Sequence, residues 1–315
     1  MERPILVKKF KGKGENLVTE LYISSLSDYL SAIENLKTYY PTGMIMNNPT
    51  STSFLYRGLA DKDYQLLPGI FRKHISLLND HEIVNDKYLA WTTELDILRA
   101  FIHEASAHLS IPSDDLGHWL EYAQHFGVPI CFLDWSKNPL VALYFCCKDQ
   151  CDRDGAIWLL HAGNYARFVS KKLTEPNNQE IKTAYTAIQG LLNGNLYCEY
   201  PILYTPYYVD TRMSAQSSYF MIWGTQRKPL EDLLISDDTK MNLPEKDNGI
   251  RMYEIHETTA LLFRFMIYAD RKQPILHELD TVGINEKALF PGLDGIGRYI
   301  ERQYRFDYNE AAENM

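Results

Sequence analysis

The stretch from Ala123 to Phe145, AQHFGVPICFLDWSKNPLVALYF, constrains the fold more than any other part of the chain. Gly127 reads as the stop of a helix, because a glycine takes the left-handed conformation that closes a last turn. Residues 128–135 then read as a buried strand. Asn138-Pro139 opens a new helix, with proline in the first turn, where its missing N–H is not needed. A strand that hands over to a helix this abruptly brings Asp134, Trp135 and Ser136 to the helix N-terminus. Unpaired N–H groups there suit an anionic ligand. Trp135 adds a ring that can stack, and His125 sits at the preceding helix end.

The remaining pattern mixes helices and strands without regular alternation. Residues 25–38 read as a helix with Ser27 as N-cap and Leu30, Ile33 and Leu36 on its apolar face. A strand follows at 52–59, then helices over 82–110 and 114–127, the latter capped by Ser113 or Asp114. Residues 154–162 read as a strand and 260–268, which alternate poorly, as a buried strand, and 201–209 and 217–224 are Tyr- and Ile-rich strand candidates. The segment 163–200 is polar and ambiguous, apart from a helix-like TAYTAIQGLLNG, and 245–256 reads as loop. Helices are expected from Lys272 to Gly283 and at the C-terminal end of 289–306. The class implied is α+β rather than a doubly wound sheet. Lys8, Lys9, Lys11 and Lys13 mark residues 1–24 as a basic arm or edge strand, ahead of one domain over 25–312.

Composition excludes several classes. At 45% apolar and 23% charged residues the 315-residue chain is globular, not disordered or fibrous. It has no run of about 18 apolar residues, so no transmembrane helix is expected. The N-terminus lacks the apolar core of a secretory signal, and five cysteines without paired spacing read as reduced thiols. Those two features imply a cytoplasmic protein. The CCKDQC run has the wrong spacing for zinc, so no metal is expected, and Cys146 and Cys147 read as the buried end of an element. A net charge of −9 repels bare nucleic acid on average. The chain contains neither GxGxxG nor GxxxxGK[ST], so a dinucleotide fingerprint and a P-loop are both absent. GxSxG is absent too, and no carboxylate pair of the glycosidase type stands out.

Three further clusters carry chemistry-bearing residues. Tyr56-Arg57-Gly58 puts an arginine near the end of an apolar strand, where its fork can meet a phosphate or carboxylate beside a glycine that admits a ligand to the backbone. Arg212 and Gln216 stand four apart, on one face if the chain is helical there. LFPGLDGIGRY (289–299) turns into a helix and contains Asp294.

In this order, FLYRG, the long 123–145 stretch, RMSAQSSYF and LFPGLDGIGRY resemble the FRG domain family, over about residues 54–302. One departure is Gly292, where the family usually has Asp. The resemblance implies a remote relative of ADP-ribosyltransferases, of the kind found in bacterial toxins and phage defence. The fold it implies is a mixed or antiparallel split sheet with large helical insertions. NAD is then the co-substrate. The resemblance makes Arg57, Asp134 and Gln216 the candidate catalytic residues, and Tyr56, Gly58, His125, Trp135, Ser136, Arg212 and Asp294 the candidate NAD contacts. In the Arg-Ser-Glu class of those enzymes a glutamate stands where this chain has Gln216. An amide orients but supplies no charge to an oxocarbenium-like state, a loss on the order of 10²–10³ in rate. Asp134, Asp294, Glu199 and Glu278 are the carboxylates that can replace it. The implied acceptor is a protein or nucleic acid, and an antitoxin or regulatory protein is a possible partner. Two other classes fit the same residues: a ligand-sensing module without catalysis, and an NAD glycohydrolase or nuclease.

Overall fold

A computed structural model describes residues 7–11, 17–39, 54–72, 91–109, 116–173, 200–224, 226, 228–235, 239–240, 251–255 and 259–313. The expected caps Ser113 and Asp114, the TAYTAIQGLLNG helix, Lys13 and Glu199 lie outside these residues. The strands are β1 (Val7–Lys11), β2 (Leu17–Ile23), β3 (Phe54–Leu59), β4 (Phe132–Ser136) and β5 (Gly155–His161). They continue with β6 (Ile202–Tyr204), β7 (Ser218–Ile222), β8 (Thr239–Lys240), β9 (Arg251–Ile255) and β10 (Thr259–Ile267). The helices are α1 (Leu26–Tyr39), α2 (Trp91–Ala105), α3 (Leu116–His125), α4 (Pro139–Cys147) and α5 (Ala162–Leu173). After them come α6 (Thr211–Ala215), α7 (Leu230–Ile235), α8 (Lys272–Thr281), α9 (Glu286–Leu289) and α10 (Leu293–Glu313).

All ten strands join one mixed sheet in the order β1-β2-β10-β5-β3-β4-β7-β6, with β9 and β8 added along the first half of β10. Only β2–β10 is parallel among the described pairings. The period-two pleat sends Leu55, Leu59, Trp158 and Leu160 to one face, where α2, α3 and α5 cover them. Phe54, Tyr56, Ile157 and Leu159 go to the other, under α1, α4 and α8. This accounts for the unbroken apolar run of β5, whose seven residues are all buried.

The sheet is continuous yet nearly divided. β3 pairs with β5 along its whole length, Phe54 to Leu59, and β4 pairs with β7 from Phe132 to Ser136. Between β3 and β4 there is a single bridging pair, Tyr56 with Ser136. The split sheet expected from the resemblance is instead a single continuous mixed sheet, narrowed to one bridging pair at this junction. Helix α4 crosses it. It follows β4 after only two residues, and it lies so close on β3 that a Cβ at Gly58 would sit 1.8 Å from the Ala142 carbonyl oxygen and 2.7 Å from the Cys146 nitrogen. Gly58 therefore admits a helix, not a ligand, to the backbone.

Several local expectations hold. Asn138 caps α4 by accepting from the Leu140 N–H at 2.9 Å, and Cys146 and Cys147 are fully buried at its end. Gly127 follows α3 with φ +76°. Others need correction. Ser25, not Ser27, accepts from the first turn of α1, taking the Asp28 N–H at 3.1 Å. The loop expected at 245–256 contains β9, the 201–209 strand shrinks to β6, and α5 starts at Ala162 and runs into the segment left ambiguous. Of the two readings of the basic segment, the edge strand holds: β1 ends the strand order, and β2 joins it to the sheet through Leu21–Ile23 against Phe265–Ile267. Among the described residues no helix is long and apolar enough to cross a membrane.

Candidate functional site

Beyond the Tyr56–Ser136 pair, β3 and β4 part, and a cleft of about 440 Å³ opens between them. Tyr56, Arg57 and Gly58 line one side, and Asp134, Trp135 and Ser136 the other. His125 comes from the end of α3, and Arg212 and Gln216 from α6 and its C-cap. Nine of the ten residues singled out in the sequence thus meet in one place. The tenth, Asp294, is not part of the lining. It accepts from Arg212 Nη2 at 2.7 Å and stands 3.6 Å from Arg298, so it holds a lining arginine rather than a ligand.

Arg57 bridges the open strands. Its Nη1 donates to the backbone carbonyl of Asp134 and lies 3.9 Å from the Asp134 carboxylate. The side chain is only 16% exposed, whereas that of Asp134 is 54% exposed. Burial lowers Arg57 to about 10, Asp134 works against that shift, and Arg72 adds to it. The guanidinium is still a cation at neutral pH. Asp134 is held from the other side by Gln124 of α3, whose Nε2 donates to both carboxylate oxygens at 2.9 and 2.8 Å.

The imidazole of His125 is buried, with Nε2 3.4 Å from Asp210 Oδ2. Burial pushes it below the ordinary histidine value, Asp210 pulls the other way, and Arg212 reinforces the burial. Asp210 also caps α6 by accepting from the Arg212 N–H at 2.7 Å. One carboxylate therefore fixes the imidazole and the helix that presents Arg212.

The remaining candidates have other duties. Ser136 Oγ donates to the Gln216 carbonyl at 2.7 Å and accepts from the Asn138 N–H at 2.9 Å, so its hydroxyl shapes the turn into α4. The Gln216 amide donates to the Leu289 carbonyl at 3.0 Å, which ties α6 to α9. Ser217, next in the chain, has φ 49°, a left-handed backbone unusual outside glycine. The Trp135 ring is 2% exposed and packed in the core, so it offers no open face for stacking. Of the alternative carboxylates, Glu278 accepts from the Leu26 N–H at 2.6 Å at the start of α1 and is absent from the cleft lining. Asp149 does line the cleft, paired with Lys148. Apolar lining comes from Tyr64, Phe145, Met213 and Phe290.

Sequence reading missed Gln124, Asp210 and Asp149. Gln124 stands directly before His125 in the long stretch, and only its contact with Asp134 distinguishes it from a solvated glutamine. The assembled site pairs a buried cation with an exposed carboxylate in a pocket of ligand size. Such a floor has the charge to receive an anionic group with a negative charge left beside it. No curated protein and no solved structure matches the chain. Residues 52–155, which bring Arg57, Gln124, His125 and Asp134 to this cleft, match the family model of the FRG domain.

Proposed function

We propose that the cleft binds NAD and that the protein is an ADP-ribosyltransferase, cleaving the nicotinamide bond and passing ADP-ribose to a macromolecular acceptor. The observation that carries this reading is the pairing of Arg57 and Asp134 across the split. A buried guanidinium suits a pyrophosphate. A carboxylate within 3.9 Å of it suits the positive charge that develops on the ribose as nicotinamide leaves. Gln216 is not that charge, because its amide is committed to Leu289; Asp134 takes the role instead, held by Gln124. A sheet that narrows to one pair beside the arginine also suits the split-sheet architecture of that enzyme class.

In the reaction, Arg57 holds the phosphates and Asp134 faces the ribose. His125, neutral at physiological pH, is placed to accept a proton from the acceptor nucleophile. The C–N bond to nicotinamide breaks as the acceptor's bond to the ribose carbon forms. The acceptor is a protein or a nucleic acid, and a neutralising antitoxin or regulatory protein is a partner this activity calls for in a cell. The test is nicotinamide release from NAD, followed by transfer of label from the adenine end to cell macromolecules. Release without transfer identifies a glycohydrolase. No release, with NAD still bound, identifies a sensing module, the reading that the engaged amide of Gln216 favours.

A further inference from the structure

Among the described residues, two buried N–H donors beside the cleft have no hydrogen-bond partner, Arg57 Nε and Trp135 Nε1. Both residues line the cleft. They flank the one bridging pair, Arg57 following Tyr56 on β3 and Trp135 preceding Ser136 on β4. In an antiparallel register those two positions face each other, with side chains on the same side of the sheet. Two donors cannot satisfy one another, and native interiors rarely keep a buried N–H without an acceptor. The nearest carboxylate does not serve. Gln124 holds both Asp134 oxygens, and neither accepts from Arg57 Nε or Trp135 Nε1.

No oxygen of the described residues serves as their acceptor. The charge of the missing acceptor follows from the neighbourhood. Arg57 is a cation, and the second cation, Arg72, lies close enough to Arg57 to lower it further. We propose that Arg57 Nε and Trp135 Nε1 together form an oxyanion seat that takes a phosphoryl oxygen, the indole contributing its N–H edge and not its ring face. Assigning that oxygen to the pyrophosphate of NAD rests on the function proposed above; the seat itself does not.

The test is the indole N–H spectrum of the full chain labelled with 15N-tryptophan, titrated with inorganic pyrophosphate, ADP-ribose and NAD. The chain has five tryptophans, and Trp135→Phe identifies the relevant resonance. If that variant does not fold, substituting the other four in turn identifies it by elimination. The expected result is a saturable shift of the Trp135 resonance with pyrophosphate and with ADP-ribose, abolished in Arg57→Ala. A second expectation is about tenfold weaker ADP-ribose binding in Trp135→Phe, the effect of losing one hydrogen bond to a charged group. A Trp135 resonance unmoved by all three compounds overturns the seat and assigns both donors to trapped water. An unmoved resonance in a protein that releases nicotinamide overturns the seat and leaves the NAD reading standing. A resonance that moves with pyrophosphate, in a protein that never releases nicotinamide, supports the seat and removes the NAD reading.

Discussion

Arg57 gives one arm of its guanidinium to the Asp134 backbone, and its Nε has no partner among the described residues. The fold does not depend on that charge, because the apolar neighbours Leu55 and Leu59 already anchor β3. Arg57→Ala is therefore expected to abolish nicotinamide release while its circular dichroism spectrum matches the parent's; an active, folded variant removes Arg57 from the site. Asp134→Asn keeps the shape and loses the charge, and its NAD turnover is expected to fall on the order of 10²–10³, measured at saturating NAD. At this scale the sequence was informative about which residues gather and much less about what each does. Tyr56 to Gln216 converge on one cleft from positions far apart in the chain. The duties of Ser136, Gln216 and Glu278 depend on the Gln216 carbonyl, the Leu289 carbonyl and the Leu26 N–H. No spacing rule can place such backbone partners, because tertiary packing alone brings them near.

Among the elements, α4 and β3 make the closest approach, and Gly58 permits it. Gly58→Ala must push the helix backbone away, because the atom 1.8 Å from the new Cβ is the Ala142 carbonyl oxygen and not a side-chain tip. The expected cost is about 3 kcal/mol, read as a lower urea midpoint. Asn138→Ala removes the α4 cap and is expected to cost about 1 kcal/mol by the same measurement. Elements with a one-residue signature were legible, as the Asn-Pro start of α4 and the apolar runs of β5 and β10 show. β9 was not, because EKDNGIRMYEIH is polar and lacks an apolar alternation. Its pairing with β10 and β8 supplies what its own residues do not signal. The first cap of α1 slipped by two residues because Ser24, Ser25 and Ser27 compete for the same role, and only geometry selects Ser25.

For the whole molecule, α7 is tied to the segment after β3 by Glu231, whose carboxylate accepts from the Leu66 N–H at 3.2 Å. Burial pushes this carboxyl up to about 7 from 4.5, against the hydrogen bonds that favour its charged form. Between those two values the folded chain keeps a proton that the unfolded chain has released. Its contribution to stability is thus complete in acid and is lost as pH rises toward 7, by roughly 3 kcal/mol at most. Glu231→Gln is expected to flatten this slope and to raise the melting temperature at pH 8, with little change at pH 4.5. The mixed α+β class was readable from the irregular order of patterns. The one-pair junction was not, because it depends on how far β3 and β4 run side by side, and each strand alone looks like an ordinary member of a sheet.

Helix α4 belongs to one half of the sheet by covalent connection and to the other by contact. Widening the mouth between β3 and β4 would have to strip that helix from the β3 backbone or bend the two residues, Lys137 and Asn138, that join it to β4. Both Asn138 groups are engaged, its N–H by Ser136 and its side chain by Leu140. The jaws are thus braced at a set gauge, so that a guest of the proposed site would be admitted by its girth before any of its charges are read.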